Sequence, residues 1–426
     1  MPSDIDLDVL PDGSRYAPRH SRAEAGCRLC GARLHHDLID FGHLPLAGGT
    51  VPAGHAQPDV LYPLHIRVCD SCTLVQLADI PPPDLPSHLA MNSGPPAPHA
   101  LQQRCTANLI QKWRLTPDSH VVQVGSADGA LLRHFQAAGI PVRGIEARPE
   151  AAAAAHAAGI PTEAARFTSE SAMEIAAGTG RADLVVVDGV LPKAADMFDF
   201  AAGLASIIRP NGVIAISVPH ILPLLQNLQF DAFRHDVPAY FSLRVLERLL
   251  CSVGLRVFEA ERLTEDGGRL RVYACAASSR FTARPGLKTV RTAEATAETE
   301  CPDLYAGFSA RAGAARDLIR DFVLTRHAAG RRVMAYGATI RGAMLLNLCG
   351  LGPEAITGIA DPTATDGHCL TGSRIPIVPL QTIRDTPPDD LLVLPWPYGH
   401  DVPGKLHAFR QKGMQCWTLL PRIARV

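Results

Sequence analysis

Net charge is almost missing from this chain of 426 residues: 41 basic and 42 acidic side chains leave −1 at pH 7. So even a balance gives no general attraction to nucleic acid or to an anionic membrane. Long apolar runs are missing too, and none approaches the roughly 20 residues that span a bilayer. The first stretch, MPSDIDLDVLPDGSRYAPRH, is polar and acidic and lacks the apolar core of a signal peptide. These absences predict a cytoplasmic protein without nucleic-acid or membrane partners, whose eleven cysteines stay reduced. No internal repeat or long low-complexity tract is visible, and the alanines of 151–158 read as a helix rather than a linker. Present instead is 47% hydrophobic content with only 19% charge, enough apolar material for buried cores in two or three domains. Thirty-five glycines and thirty-five prolines mark many turns.

The chain is organised around His120 to Glu146. Val121, Val122 and Val124 form a short β-branched strand. Gly125, Ser126, Ala127, Asp128 and Gly129 form a turn with little side-chain bulk. A helix follows from about Ala130 to Ala138, ended by Gly139 and Pro141. Val142 to Ile145 is the next strand, with Glu146 at its carboxyl end. Ligands of open α/β sheets bind outside those ends. Small residues there admit a ligand to the backbone, and a carboxylate can take both ribose hydroxyls, so an adenosine-type cofactor is expected. A dinucleotide fold would want G-x-G-x-x-G facing a pyrophosphate. The acid Asp128 inside this turn would repel one and suits the cationic S-adenosylmethionine. A class I methyltransferase (Rossmann-like) α/β domain is therefore expected.

Ahead of it stand Cys27-x-x-Cys30 and Cys69-x-x-Cys72, separated by an expected loop. Two such knuckles in a reduced compartment predict a four-thiolate zinc site, structural because no coordination position stays open. The proline-rich stretch 79–98 reads as a connector. After Glu146 come the buried strand Ala182 to Asp188, a helix over 198–208, a turn at Arg209 to Gly212 and a strand over 213–218. Two extended runs, 255–263 and 269–276, flank Asp266-Gly267-Gly268 as a hairpin. A polar stretch over 277–301 is expected to cross to a second small α/β unit. That unit has a helix over 308–327, a strand over 332–336, a glycine turn at 337–342, and strands ending at Asp361 and at Pro395-Trp396. The expected organisation is a loose tail (1–25), a zinc-binding module (26–85), an S-adenosylmethionine domain (99–280) and a C-terminal α/β domain (302–426).

The cysteine knuckles, Val124 to Gly129, Gly144-Ile-Glu146, Gln229-Phe-Asp231, Tyr240-Phe-Ser242, Gly267-Gly268, Tyr336-Gly-Ala338, Leu345-Leu-Asn347 and Leu394-Pro-Trp396 occur in that order. In this the chain resembles the bacterial deoxysugar C-methyltransferases, which act on nucleotide-linked keto sugars. The resemblance implies a zinc-binding N-terminal module, a central S-adenosylmethionine domain and a C-terminal α/β domain, with a small-molecule substrate between them. It implies cofactor contacts at Gly125, Ser126, Asp128, Gly129, Glu146, Asp188 and Gln229. The catalytic segment departs from the family pattern. Where the family has Tyr-His-Glu-His this chain has Arg234-His235-Asp236-Val237, and the family's base falls on Val237. Asp188 and Lys193 replace an asparagine and a histidine, Asp266 a histidine and Arg341 a lysine. Tyrosines of the family are missing from 89–99. His235, two residues from the family's base and sharing its face if the segment is extended, becomes the candidate base, with Asp236 and Tyr240 beside it. Three functions stay open: C-methyl transfer, a non-methyl reaction of the sulfonium such as aminocarboxypropyl transfer or cyclisation to a small cyclic amino acid, and catalytically silent cofactor binding.

Overall fold

The computed structural model describes residues 8–9, 15–16, 26–46, 48–55, 57–81, 99–297, 299, 302–364, 367–395 and 413–426. The first module is a sheet built on β1 (His36–Pro45), β3 (Val60–Val68) and β4 (Val75–Leu77), with β2 (Thr50–Pro52) leaving it. β1 and β4 both pair antiparallel with β3. The interval between the cysteine knuckles is therefore mostly strand, not the expected loop. Its Leu64, Ile66 and Val68, alternating with His65 and Arg67, join an apolar cluster shared with both other modules. Within the expected tail, Asp8–Val9 pairs with Arg15–Tyr16, which pairs with Val60–Leu61. Of the connector, residues 82–98 lie outside the described residues, as does Trp396.

The second module runs α1 (His99–Trp113), β5 (Val121–Val124), α2 (Ala130–Ala137), β6 (Val142–Glu146), α3 (Pro149–Ala157), β7 (Thr162–Ala164), α4 (Ser169–Thr179) and β8 (Ala182–Asp188). It continues through α5 (Met197–Ile207), β9 (Ile208–Pro219), α6 (Ile221–Gln226), β10 (Ala239–Tyr240), α7 (Leu243–Cys251), β11 (Leu255–Leu263), β12 (Arg269–Ala276) and α8 (Pro285–Thr296). Its sheet order is β11-β12-β9-β8-β5-β6-β7, parallel from β9 to β7 and closed by the antiparallel hairpin β11–β12. Alternation sorts the strand residues into two layers. Val122, Val124, Val185, Val187 and Ile214 pack with α5 and α7, while Val121, Leu184, Val186 and Val213 pack with α1 and α2. Helix starts follow local chemistry: the Thr168 hydroxyl and Ser171 make a reciprocal cap on α4, and Asp196 accepts from Phe198 and Asp199 at α5. The expected turn at 209–212 lies inside β9, where the register with β8 jumps between Ala182 and Leu184. The stretch expected to cross at 277–301 holds α8, whose Leu287 and Val290 are buried against the second module.

The third module has α9 (Phe308–Ala328), β13 (Val333–Tyr336), α10 (Ile340–Leu348), β14 (Ile359–Asp361), β15 (His368–Leu370), β16 (Pro376–Pro379), β17 (Asp390–Val393) and β18 (Gln415–Thr418). Its parallel core is β18-β17-β13-β14-β16.

Strands are exchanged between the modules. β2 of the first completes the third module's sheet against β15. β10 of the second joins the first module's sheet against β4. One apolar cluster accordingly draws on all three, with Leu64 and Ile66, Phe233 and Tyr240, and Phe308 and Leu345. Phe233 stands 4.8 Å from Tyr240 and 5.8 Å from Phe308, edge to face. No helix among the described residues is long and apolar enough to cross a membrane.

Candidate functional site

The metal-binding end is set by two tight turns. Gly31 N donates to Cys27 O at 2.8 Å, and Thr73 N donates to Cys69 O at 2.9 Å, so each knuckle presents two sulfurs on one side. The four sulfurs of Cys27, Cys30, Cys69 and Cys72 lie within 4.8 Å of one another, with Cys27–Cys72 and Cys30–Cys69 at 3.4 Å. Their acidities are strongly interdependent. The bond from Cys72 holds Cys27 down to about 5, burial pushes Cys69 up to about 11, and the bond to Cys27 drives Cys72 up. A converging set of four sulfurs fits tetrahedral Zn²⁺ and leaves no position for a substrate. Leu29 and Leu74 pack the cluster into the same apolar layer as α5 and α7, so the metal braces the underside of the central domain.

The second feature is the turn after β5. Gly125, Ala127 and Gly129 all have positive φ, at 72°, 49° and 76°. Ala127 is strained there, and its N–H is held by Glu146 Oε2 at 2.8 Å. A Cβ on Gly125 would collide with Val190. Glu146, at the carboxyl end of β6, is buried. Its Oε1 accepts from Arg148 N at 3.0 Å and Arg148 Nε at 2.9 Å. Burial pushes its carboxyl up, but the bonds from Arg148 and Ala127 outweigh that and hold it below the ordinary range. An ionised carboxylate beside a low-bulk turn fits an adenosine ribose, and Arg148, with its side chain 58% exposed, is free to swing aside. Ser126 is buried with its hydroxyl near Gly144, whose missing Cβ makes room for it. Asp128 also serves the turn itself. It accepts from Ala130 N at 3.1 Å and from Arg133 at 3.4 Å, serving the start of α2.

Asp188, ending β8, receives Arg269 Nη2 on Oδ1, and the same nitrogen donates to Ser217 O at 3.2 Å. Gln229, expected at the cofactor, is fully buried and bound elsewhere. Its amide donates to Gly267 O at 2.6 Å and Pro223 O at 3.2 Å, and its Oε1 accepts from Arg341 at 3.1 Å. It serves a junction between modules, because α10 brings Arg341 across to it.

The segment expected to be extended instead turns at His235 and Asp236, with Val237 N donating to Arg234 O at 3.2 Å, so His235 and Val237 do not share a strand face; the expected catalytic residues mostly satisfy one another. Asp236 accepts from Arg234 Nε at 2.9 Å and Lys193 Nζ at 2.8 Å. Burial raises its carboxyl, and the two cations more than reverse that. The Tyr240 hydroxyl accepts from Arg234 N at 2.9 Å and donates to Ala232 O at 3.2 Å, and burial pushes its acidity well below that of ordinary tyrosine. His235 is buried and donates Nε2–H to Tyr62 O at 3.2 Å. A carbonyl only accepts, so Nδ1 keeps the lone pair, and it has no protein partner. Burial lowers this imidazole to about 4.

Arg148, Arg269, Arg341 and Tyr62 were not foreseen as contributors of these bonds. The signal for some was present, since positions departing from the family pattern turn out to be paired. Lys193 and Arg234 both bind Asp236, Asp266 lies 3.8 Å from Arg341, and Asp188 is answered by Arg269. The departures form compensated sets rather than isolated losses.

Comparison with known proteins places matching sequence families along the chain: a zinc-binding domain over 27–85, a methyltransferase domain over 98–260 and a C-methyltransferase C-terminal domain over 264–421. The C-methyltransferase NovU of Streptomyces niveus is 32% identical over 393 residues, covering 91% of this chain and 93% of that protein. Among solved structures, the 1,6-didemethyltoxoflavin-N1-methyltransferase of Burkholderia thailandensis is 20% identical, covering 42% of this chain and 79% of its own, with TM-score 0.32. The magnesium protoporphyrin IX methyltransferase of Synechocystis is 14% identical over 41% of this chain and 78% of its own, with TM-score 0.32.

Proposed function

The chain belongs to the family of S-adenosylmethionine-dependent C-methyltransferases with a zinc-binding N-terminal module, and on that premise we propose that it methylates carbon of a small nucleotide-linked keto sugar in a reducing compartment. The observation that carries the cofactor assignment is Glu146 at the end of β6, buried, ionised and bonded to the strained turn at Ala127. Gly125 to Gly129 would hold the cofactor, with Glu146 as the acceptor for its ribose hydroxyls. When bound, it supplies an electrophilic methyl group on a sulfonium.

The chain's own residues then have three tasks. Gly125, Ala127 and Gly129 keep the turn low enough for a cofactor to approach closely, and holding the two reactants together would do much of the work of transfer. A carbon beside a carbonyl needs a base to become a nucleophile. Among Asp236, Tyr240 and His235, support favours His235, whose Nδ1 is a basic atom without a protein partner, oriented by the Tyr62 carbonyl. Its low basicity follows from burial. The paired charges at Asp188, Arg269, Lys193 and Asp236 supply polar walls of fixed geometry.

The test uses purified protein, S-adenosylmethionine and a thymidine-diphosphate-linked keto sugar. S-adenosylhomocysteine and a sugar heavier by one methylene, formed only when both are present, support the reading. Methylthioadenosine released from S-adenosylmethionine alone would replace it with attack on the aminocarboxypropyl arm, for which no sugar base is needed.

A further inference from the structure

We infer that Arg341 is a positioning residue, which reaches from the third module to fix the tip of the β11–β12 hairpin and the Gln229–Asp231 turn over the carboxyl ends of β8 and β9. Its guanidinium is buried, as are both groups it binds on that turn. Nε donates to Asp231 Oδ2 at 2.9 Å and Nη2 to Asp231 Oδ1 at 2.7 Å, a two-pronged pair. Nη2 also donates to Gln229 Oε1 at 3.1 Å, and Nη1 donates to Asp266 O at 3.0 Å. The planar fork meets acceptors on two segments of the second module at once, which a lysine's single ammonium cannot reproduce in geometry.

What it holds is a strained tip. Asp266, Gly267 and Gly268 have φ of 52°, 81° and 119° in succession. A Cβ on Gly267 would meet Gln229 Oε1 and would stand 2.8 Å from Arg341 Nη1. Gly267 and Gly268 take such angles freely, but Asp266 does not, and its backbone angles persist only where the surroundings enforce them. Arg341 and Gln229 enforce them here, since both bond to carbonyls of this tip. The tip is tied in turn to the ligand edge of the sheet. His220 N, just after β9, donates to Gly268 O at 3.3 Å. Arg269, the next residue, binds Asp188 at the end of β8. A shift of Arg341 would thus move Asp188 and Arg269 through the hairpin, and Arg234 to Tyr240 through the turn that begins at Gln229. The Arg341 bonds to Asp231, Gln229 and Asp266 lie outside Gly125 to Glu146, so cofactor affinity should be separable from them.

The inference rests on the methyl-transfer reading only for its kinetic arm. Two readouts need no acceptor: amide exchange of 264–269 and calorimetry with S-adenosylhomocysteine. Arg341→Lys should accelerate exchange at 264–269 by roughly tenfold or more while leaving S-adenosylhomocysteine affinity unchanged. With the thymidine-diphosphate-linked keto sugar, kcat should fall far more than KM for S-adenosylmethionine rises. A paired Arg341→Met, Asp231→Leu variant removes both buried charges and should recover thermal stability, yet keep fast tip exchange and low kcat. Wild-type exchange in Arg341→Lys would overturn the inference. So would recovery of kcat together with stability in the paired variant, because that would make Arg341 a packing element only. If no acceptor turns over in the wild type, the substrate reading fails, and tip exchange with cofactor affinity still decides the role of Arg341.

Discussion

Glu146→Ala is the most direct probe of the cofactor site. The side chain is only 6% exposed and its two oxygens have different duties. Oε2 supports the strained Ala127 at 2.8 Å, while Oε1 faces Arg148 and is the oxygen an incoming ribose would share. A hydrogen bond to a charged buried group contributes about 1.5–3 kcal/mol, so the substitution should weaken S-adenosylhomocysteine roughly ten- to a hundredfold. Arg148→Ala is the control. That side chain is 58% exposed, and pairs of this kind are worth at most about 1 kcal/mol. Affinity there should stay within about fivefold of wild type, or improve as a competitor is removed. Because the Glu146 carboxyl is depressed in the fold, the stability it contributes should be present above its ordinary value of 4.5 and be lost as pH falls below it. Calorimetry of folded Glu146→Ala showing wild-type affinity would refute the assignment.

Cys69→Ser should release zinc, unfold the N-terminal module and reduce solubility, because such modules draw most of their folding energy from the metal; stoichiometric zinc in a folded variant by metal analysis would contradict this. His235→Asn should abolish methyl transfer while leaving S-adenosylhomocysteine affinity intact, and full turnover would end its role as base. The same residue stays neutral in the fold down to about 4, whereas a free imidazole protonates near 6.5. The unfolded chain therefore binds the extra proton in that window, and stability should rise with pH across it by about 3 kcal/mol, a slope that His235→Asn removes in urea titrations. Gly125→Ala must adopt a φ of 72° and collide with Val190, which should cost about 1–3 kcal/mol; the Gly125→Ala, Val190→Ala pair should recover part of the loss in thermal melts.

Local pattern was enough for everything that depends on neighbours in the chain. Two Cys-x-x-Cys turns announce a four-sulfur cluster because each turn fixes its own pair and loop closure over the interval costs little. The run from Val121 to Glu146 announces strand, turn, helix, strand and terminal acid because period and turn chemistry are local. Distant pairing was not legible. Nothing near Thr50 or Ala239 in the chain says that these strands complete sheets of other modules, since backbone hydrogen bonding carries no sequence label. Gln229 matched a cofactor-domain motif, yet the tertiary structure turned it toward Arg341, 112 positions away. The departures from the family pattern looked like separate losses in one dimension. Only folding brought Lys193 and Arg234 to Asp236 and Asp266 to Arg341, because a charge buried without a partner is too costly to keep, and the partner is chosen by proximity in space rather than in sequence.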